Sequence, residues 1–238
     1  MHKSIFVSDT HLGSSWSNSN KLFTFLEQIE AEQLFLVGDI VNSTATQEHL
    51  EVTKFIQLIQ KKEWKIIYIA GNHEEERVYS PAVSLSFSEE LLAQTNYVYH
   101  NGKTSVYLEH GHRFHTVSRF NRVSGRVFRY LKRILLQRER VKRSAITENI
   151  GTLKQPKESF YLRYVKPFSQ RLLRYSFKSY MAERAKEQGC SVVVCGHFHI
   201  AENSRVKGVQ YLNCGDWVKD SSYVVETQEG EFMLKRWG

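Results

Sequence analysis

The sequence predicts an α/β fold, on three observations. Short β-branched and aromatic runs alternate with stretches whose apolar residues recur at helical spacing. Five of those runs stop at Asp, Asn or His, and the C-terminal edge of a strand is where α/β proteins place ligand-binding groups. The composition is that of an ordinary globular chain, with 238 residues, 3 prolines, no repeat and no low-complexity tract. A chain of this length buries a substantial core and reads as one domain over 1–238 with an elaboration inside it.

Taken in order, Ile5, Phe6 and Val7 form the first strand, which gives way to Ser8-Asp9-Thr10-His11. Asn18 or Ser19 is placed to cap a helix that buries Leu22, Phe25, Leu26 and Ile29. A second strand, 34–37, runs into Gly38-Asp39. A second helix is expected from near Thr46, with Val52, Phe55, Ile56 and Ile59 on one face. The third strand follows Trp64 and leads into Gly71-Asn72-His73-Glu74. A helix near 88–94 is expected before two strands, 97–100 and 104–108, joined by the hairpin signal Asn101-Gly102. The second of these runs through Glu109 into His110-Gly111-His112. Strands at 192–195, 209–212, 223–226 and 232–235 close the chain, with Gly196-His197-Phe198-His199 after the first and Glu229-Gly230 turning the last pair.

Taken alone, Asp9-Thr10-His11 fits an ordinary polar loop. The full set does not, because 6 of the 10 histidines fall in these strand-end segments. Carboxylate, amide and imidazole donors gathered at one sheet edge suit first-row divalent cations.

At these residues the chain resembles the calcineurin-like metallophosphoesterases. That family's ordered pattern is matched by Asp9-Thr10-His11, Gly38-Asp39, Gly71-Asn72-His73-Glu74, His110-Gly111-His112 and Gly196-His197-Phe198-His199. Within it, Asn213-Cys214-Gly215-Asp216-Trp217 and the long insert before Gly196 look most like the UDP-2,3-diacylglucosamine hydrolase group. The resemblance implies two packed sheets flanked by helices and two divalent metal ions, with manganese preferred and zinc or iron also fitting. One ion would take Asp9, His11 and His199, the other Asn72, His110 and His197, and Asp39 would bridge them. Such a pair lowers the pKa of a bridging water and holds the phosphoryl oxygens for in-line attack. His73 is then placed to stabilise the equatorial oxygens or to protonate the leaving group. His112 and His115 stay outside this set. Histidine at position 73 is the pattern of general phosphodiesterases, whereas the hydrolase group commonly has arginine there. Glu74 stands where the wider family usually has aspartate, and it could orient His73. Asn42 replaces the narrower group's usual aspartate. Asp216 and Trp217 read equally as cleft-lining residues or a strand-end turn.

The stretch 113–186 breaks the pattern, with 20 Lys and Arg against 4 Glu, a net of +16, while the remainder nets −8. Phe120, Val123, Val127, Leu131, Ile134 and Leu135 make an apolar stripe beside a basic one of Arg119, Arg122, Arg126, Arg129 and Arg133. A second helical stretch, 160–185, is basic and rich in aromatics. Three readings fit this insert: a solvated helical hairpin on the core, a nucleic-acid surface, or a lid on an anionic membrane that grips an acylated substrate through Arg119, Arg122 and Arg126. The lid reading is preferred because acyl chains would cover the apolar stripe.

Function then reads as hydrolysis of a phosphodiester or pyrophosphate bond in a lipid-linked nucleotide. The competing reading is a general phosphodiesterase or nuclease. An inert scaffold is disfavoured because every ligand position is filled. No apolar stretch approaches the roughly 18–20 residues that span a bilayer. No cleavable leader is expected, since the first strand begins almost at Met1. Cys190, Cys195 and Cys214 form no paired motif, so buried reduced thiols are expected. The expected location is cytoplasmic, with the insert at the inner membrane's cytoplasmic face.

Overall fold

The computed structural model describes residues 1–43, 45, 50–78, 94–114 and 166–238. The chain divides into two compact units, Met1–His112 with Ser179–Gly238, and Arg113–Lys178.

The first unit holds two five-stranded mixed sheets. One is built from β1 (His2–Val7), β2 (Ala31–Val37), β3 (Lys65–Ile69), β9 (Ser222–Glu226) and β10 (Phe232–Arg236), in the order β10-β9-β1-β2-β3. The other is built from β4 (Asn96–His100), β5 (Ser105–Glu109), β6 (Val192–Cys195), β7 (Glu202–Val206) and β8 (Val209–Asn213), in the order β4-β5-β6-β8-β7. Helices α1 (Ser19–Gln28), α2 (Leu50–Gln60) and α3 (Asn72–Val78) connect or follow the early strands, and α4 (Lys166–Glu187) precedes β6. The architecture is the α/β arrangement of two sheets flanked by helices that the sequence predicts.

The near-continuous apolar runs are explained by burial on both faces of the first sheet. Ile5, Val7, Leu34 and Leu36 pack with Leu22, Phe25 and Leu26 of α1 and Val52, Phe55 and Ile59 of α2. The intervening Phe6, Phe35 and Val37 face the other way, onto Val106, Leu108, Val194 and Leu212 of the second sheet. Phe6 and Phe35 lie stacked with ring centroids 4.6 Å apart. Slipping β1 by one residue would exchange these two sets, so its register is strongly specified.

Three local expectations need amendment. Asn18 precedes α1 but makes no side-chain cap. The Ser19 hydroxyl instead donates to Glu51 Oε1 (2.7 Å), because Glu51 is already held there by the Gly13 amide at its other oxygen. Strand β7 went unforeseen since, at a sheet edge, its burial only alternates between half-buried and exposed. Helix α3 went unforeseen as well, although Glu74 and Glu75 in its first turn suit a helix N-terminus. The hairpin 97–108 is as expected, with the Asn101 side-chain carbonyl accepting the Lys103 and Thr104 amides. The expected start of α2 near Thr46, the helix near 88–94 and the insert's first helix lie outside the described residues.

All three cysteines are buried and unbonded, and burial pushes the thiols of Cys195 and Cys214 up. Among the described residues no helix is long and apolar enough to cross a membrane.

Strands β1, β2 and β3 are mutually parallel, as are β5, β6 and β8. The segments that follow their C-terminal ends carry the residues of interest.

Candidate metal centre

Asp9 and His11 follow β1, Asp39 follows β2, and Asn72 and His73 open α3 after β3. His110 follows β5, and His197 and His199 follow β6. The aspartate and histidine side chains among them converge. His199 Nε2 lies 3.1 Å from Asp9 Oδ1 and 3.3 Å from His11 Nε2. His110 Nε2 lies 3.2 Å from Asp39 Oδ2, and His73 Nε2 lies 3.9 Å from the same oxygen.

The backbone is bent to achieve this. Among the described residues, 7 non-glycine positions have positive φ, and 5 of them are Asp9, His11, Asp39, His197 and His199. A left-handed non-glycine residue costs roughly 1–3 kcal/mol where the surroundings must enforce it. Asp and His tolerate the region better than most, but five together mark a site held for a purpose other than stability.

Each carboxylate has one oxygen committed to the protein and one turned to the cluster. Asp9 Oδ2 accepts the Ser8 hydroxyl (2.6 Å) and the His197 amide (2.9 Å), whereas its Oδ1 is buried without a hydrogen-bond partner. Asp39 Oδ1 accepts the His73 amide at 2.9 Å, leaving Oδ2 toward His110. His110 Nδ1 donates to the Val37 carbonyl (2.9 Å), which orients Nε2 into the cluster.

The electrostatics point the same way. Burial works against a charged His110, but the carboxylates of Asp39 and Asp9 outweigh it and raise the imidazole to about 9. Burial likewise opposes charge on His199, yet the neighbouring carboxylates of Asp216 and Asp9 raise it to about 10. Burial alone would push Asp39 up, but the neighbouring His110 imidazole pulls it well below the usual carboxylate range. His11 is held below its ordinary value, chiefly by burial. The cluster draws positive charge onto its imidazoles, and a cation can take the place of those protons.

The residues fit such a cation. Asp9 Oδ1, Asn72 Oδ1 and His110 Nε2 are all buried without a hydrogen-bond partner. A buried polar atom left so costs about 1–3 kcal/mol, and metal coordination relieves it. Donor atoms within 4.8 Å of one another fall into three groups: Asp9, His11 and His199; His11, Asp39 and His73; and Asp39, His110 and His197. Asp39 belongs to two of them.

The Glu74 carboxylate makes no hydrogen bond to His73. Its Oε2 accepts the amides of Asp39 (2.8 Å) and Gly71 (2.8 Å). Its Oε1 accepts the amides of Ile40 (2.8 Å) and Val41 (3.1 Å) and the Tyr68 hydroxyl (2.6 Å). With both oxygens filled it pins the Asp39 loop to the β3–α3 turn. His73 is oriented instead by the Ser43 amide, which donates to Nδ1 (3.2 Å) and so leaves the ring proton on Nε2. Two glycines make this packing possible. A Cβ on Gly196 would run into Ser8 Oγ and Asp9 Oδ2, and one on Gly71 into Asp39 Oδ1.

Asp216 and Trp217 separate in role. Asp216 Oδ2 lies 3.4 Å from His199 Nδ1, while its Oδ1 accepts the amides of Val218, Lys219 and Asp220. Burial raises its carboxyl, but hydrogen bonding to His199 outweighs that and leaves it at about 2. Trp217 is buried core, not a cleft wall. Ser8 and Asp216 thus orient the cluster: the sequence offers Asp216 only as a cleft wall or a turn, and Ser8 does not stand out because serine at strand ends is common in turns. His112 Nε2 lies 2.9 Å from Glu75 Oε2. Arg119, Arg122, Arg126 and His115 lie outside the described residues.

The chain matches the family model of the calcineurin-like phosphoesterase superfamily domain over residues 3–229. No curated protein matches the sequence. Among solved structures, the chain is similar to a Vps29 double mutant from Entamoeba histolytica at 10% identity and TM-score 0.48, covering 98% of this chain and 96% of that one. It is also similar to a novel archaeal phosphodiesterase at 15% identity and TM-score 0.47, covering 98% of each chain. YfcE, a phosphoesterase from E. coli, is similar at 14% identity and TM-score 0.44, covering 99% of each chain.

Proposed function

The chain belongs to the calcineurin-like phosphoesterase superfamily, and from that premise we propose that it hydrolyses a phosphodiester or pyrophosphate bond in a lipid-linked nucleotide such as UDP-2,3-diacylglucosamine. The carrying observation is the convergence of oxygen and nitrogen donors from strand ends of both sheets, several of them buried and unpartnered. In this reading Asp9, His11 and His199 hold one divalent ion, Asn72, His110 and His197 hold a second, and Asp39 serves both. Manganese is the first choice on the mixed donor set, and zinc or iron would also fit. When bound, the ions supply charge for the phosphoryl oxygens and a water acidic enough to attack near neutral pH.

The chain's own residues do the remainder. Ser8 and the His197 amide hold Asp9 in one orientation, and Asp216 does the same for His199. His73 presents Nε2–H to the cluster, which suits donation to an equatorial phosphoryl oxygen. Replacing His73 by alanine is expected to lower kcat on the order of 10²-fold while metal content, measured by mass spectrometry, stays at the wild-type level. Metal lost in proportion to activity would make His73 a structural neighbour only.

The substrate reading is supported by the +16 charge of 113–186 and by α4, where Arg171 and Arg174 are exposed beside Leu172 (41% exposed) and Tyr175 (61%). Basic and apolar groups on one surface suit an anionic membrane and an acylated substrate better than a purely ionic partner. Arg119, Arg122 and Arg126 are assigned to the substrate's phosphates on sequence grounds. The protein would then work peripherally at the cytoplasmic face of a membrane. A second reading, a general phosphodiesterase or nuclease, is favoured by one observation, His73 in the position where the diacylglucosamine hydrolases commonly carry arginine. Manganese-loaded protein is expected to cleave UDP-2,3-diacylglucosamine to UMP and a lipid phosphate faster than bis-p-nitrophenyl phosphate or single-stranded DNA. Rapid turnover of the latter two with the acylated nucleotide ignored would overturn the lipid assignment and leave the second reading.

A further inference from the structure

We infer that Trp16 is a stacking platform for the nucleobase of the substrate, placed beside the candidate metal centre by the loop after β1. The inference deepens the nucleotide reading above and rests on it. Trp16 is 54% exposed, an unusual state for the largest apolar side chain. Its indole is not adrift, because it lies parallel to the His11 ring, with centroids 5.4 Å apart and planes 13° from each other.

The loop that carries it is tied at several points. Gly13 N–H donates to Glu51 Oε2 (2.9 Å), Ser14 Oγ to the His11 carbonyl (2.7 Å) and Ser17 Oγ to the Thr10 carbonyl (2.9 Å). The Ser17 amide closes back on the Ser14 carbonyl, and the Asn18 amide reaches the Trp217 carbonyl. A hydrophobic ring exposed on a firmly held loop is preorganised for a ligand rather than left over from folding. A phosphoryl group held at His11 brings its attached nucleoside within reach of that ring.

The surroundings select a base over an acyl chain. Trp16 sits between Ser15 and Ser17, and Ser15 and Asn18 are exposed. A hydrocarbon tail needs a continuous apolar groove, whereas a base needs one flat face and polar groups at its edge. Stacking also tolerates any base, because every base has a π-face.

The test uses two p-nitrophenyl phosphodiesters that share a leaving group, one built on uridine 5′-phosphate and the other on phosphorylcholine. Trp16→Ala is expected to raise KM for the uridine ester roughly 5- to 100-fold. It should leave kcat for both esters, and KM for the choline ester, within about twofold of wild type, and Trp16→Phe should bring KM for the uridine ester most of the way back to wild type. Binding is read independently of turnover, by quenching of tryptophan fluorescence as UMP is added to the metal-loaded protein. The quench should vanish in Trp16→Phe, since Trp64 and Trp217 are buried, and UMP affinity measured by calorimetry should fall in Trp16→Ala. Unchanged UMP affinity in Trp16→Ala would overturn the platform even if both esters are hydrolysed well. Hydrolysis of neither ester would count against the phosphodiesterase reading, while the UMP measurement would still decide the role of Trp16.

Discussion

Replacing Asp39 by alanine is expected to lower kcat by on the order of 10³-fold, the upper range for removal of one preorganised electrostatic group. The bound metal should fall below two ions per chain. Asp39 is the only carboxylate shared by two of the candidate donor groups among the described residues. Its Oδ2 lies between His110 at 3.2 Å and His73 at 3.9 Å, so its loss disturbs both halves of the site. The substitution also strands the His73 amide, which donates to Asp39 Oδ1. Asp39→Asn serves as the control, because it keeps the volume while removing the charge, and it should show the same metal deficit with a smaller loss of thermal stability. Metal content by mass spectrometry and turnover of bis-p-nitrophenyl phosphate are the measurements. Two tightly held ions and activity within tenfold of wild type in Asp39→Ala would remove Asp39 from its bridging role.

Glu74→Gln is expected to destabilise the fold by about 2–6 kcal/mol, as two buried amides would each lose an acceptor worth roughly 1–3 kcal/mol. The wild-type carboxylate accepts from five donors, and a carboxamide has one oxygen to offer them. Whichever way the amide turns, its NH2 meets backbone N–H groups, either those of Asp39 and Gly71 or those of Ile40 and Val41. For a domain of this size each kcal/mol moves Tm by about 2–4 °C, so a drop of about 10 °C is expected. Glu74 also fixes the loop that bends Asp39 into positive φ, so activity should fall alongside stability. A thermal melt with and without excess metal is the check, and a Tm within about 2 °C of wild type would show the network to be dispensable. This is a different role from orienting His73, which the Ser43 amide performs.

Much of the fold is legible in the amino-acid chain itself. Strands that lie between two apolar layers, such as β1 and β2, read as unbroken hydrophobic runs, and α1 and α2 show their buried faces as spaced apolar residues. β7 is not legible, because none of its residues is buried and Glu202–Val206 therefore carries no apolar pattern. α3 is obscured for the opposite reason, since Asn72, His73 and Glu74 are chosen for the site and a helix begins on them regardless.

For the site, residue types and order alone determine which side chains carry the chemistry: Asp9, His11, Asp39, Asn72, His73, His110, His197 and His199 each stand where an apolar run ends. Donor chemistry and strand-end position are local properties, so a linear sequence displays them. What only the tertiary structure decides is which atom of each residue faces the cluster and what holds it there. That Asp9 turns Oδ1 inward depends on Ser8 and on an amide 188 residues away, and Glu74 serves a loop 33–35 residues before it. Trp16 belongs to the same class, because its exposure and its stacking on His11 exist only once the loop is tied to α2 and to Trp217. Hydrogen bonds between distant segments leave no periodicity in the chain, so their partners become visible only when the two sheets bring the strand ends together.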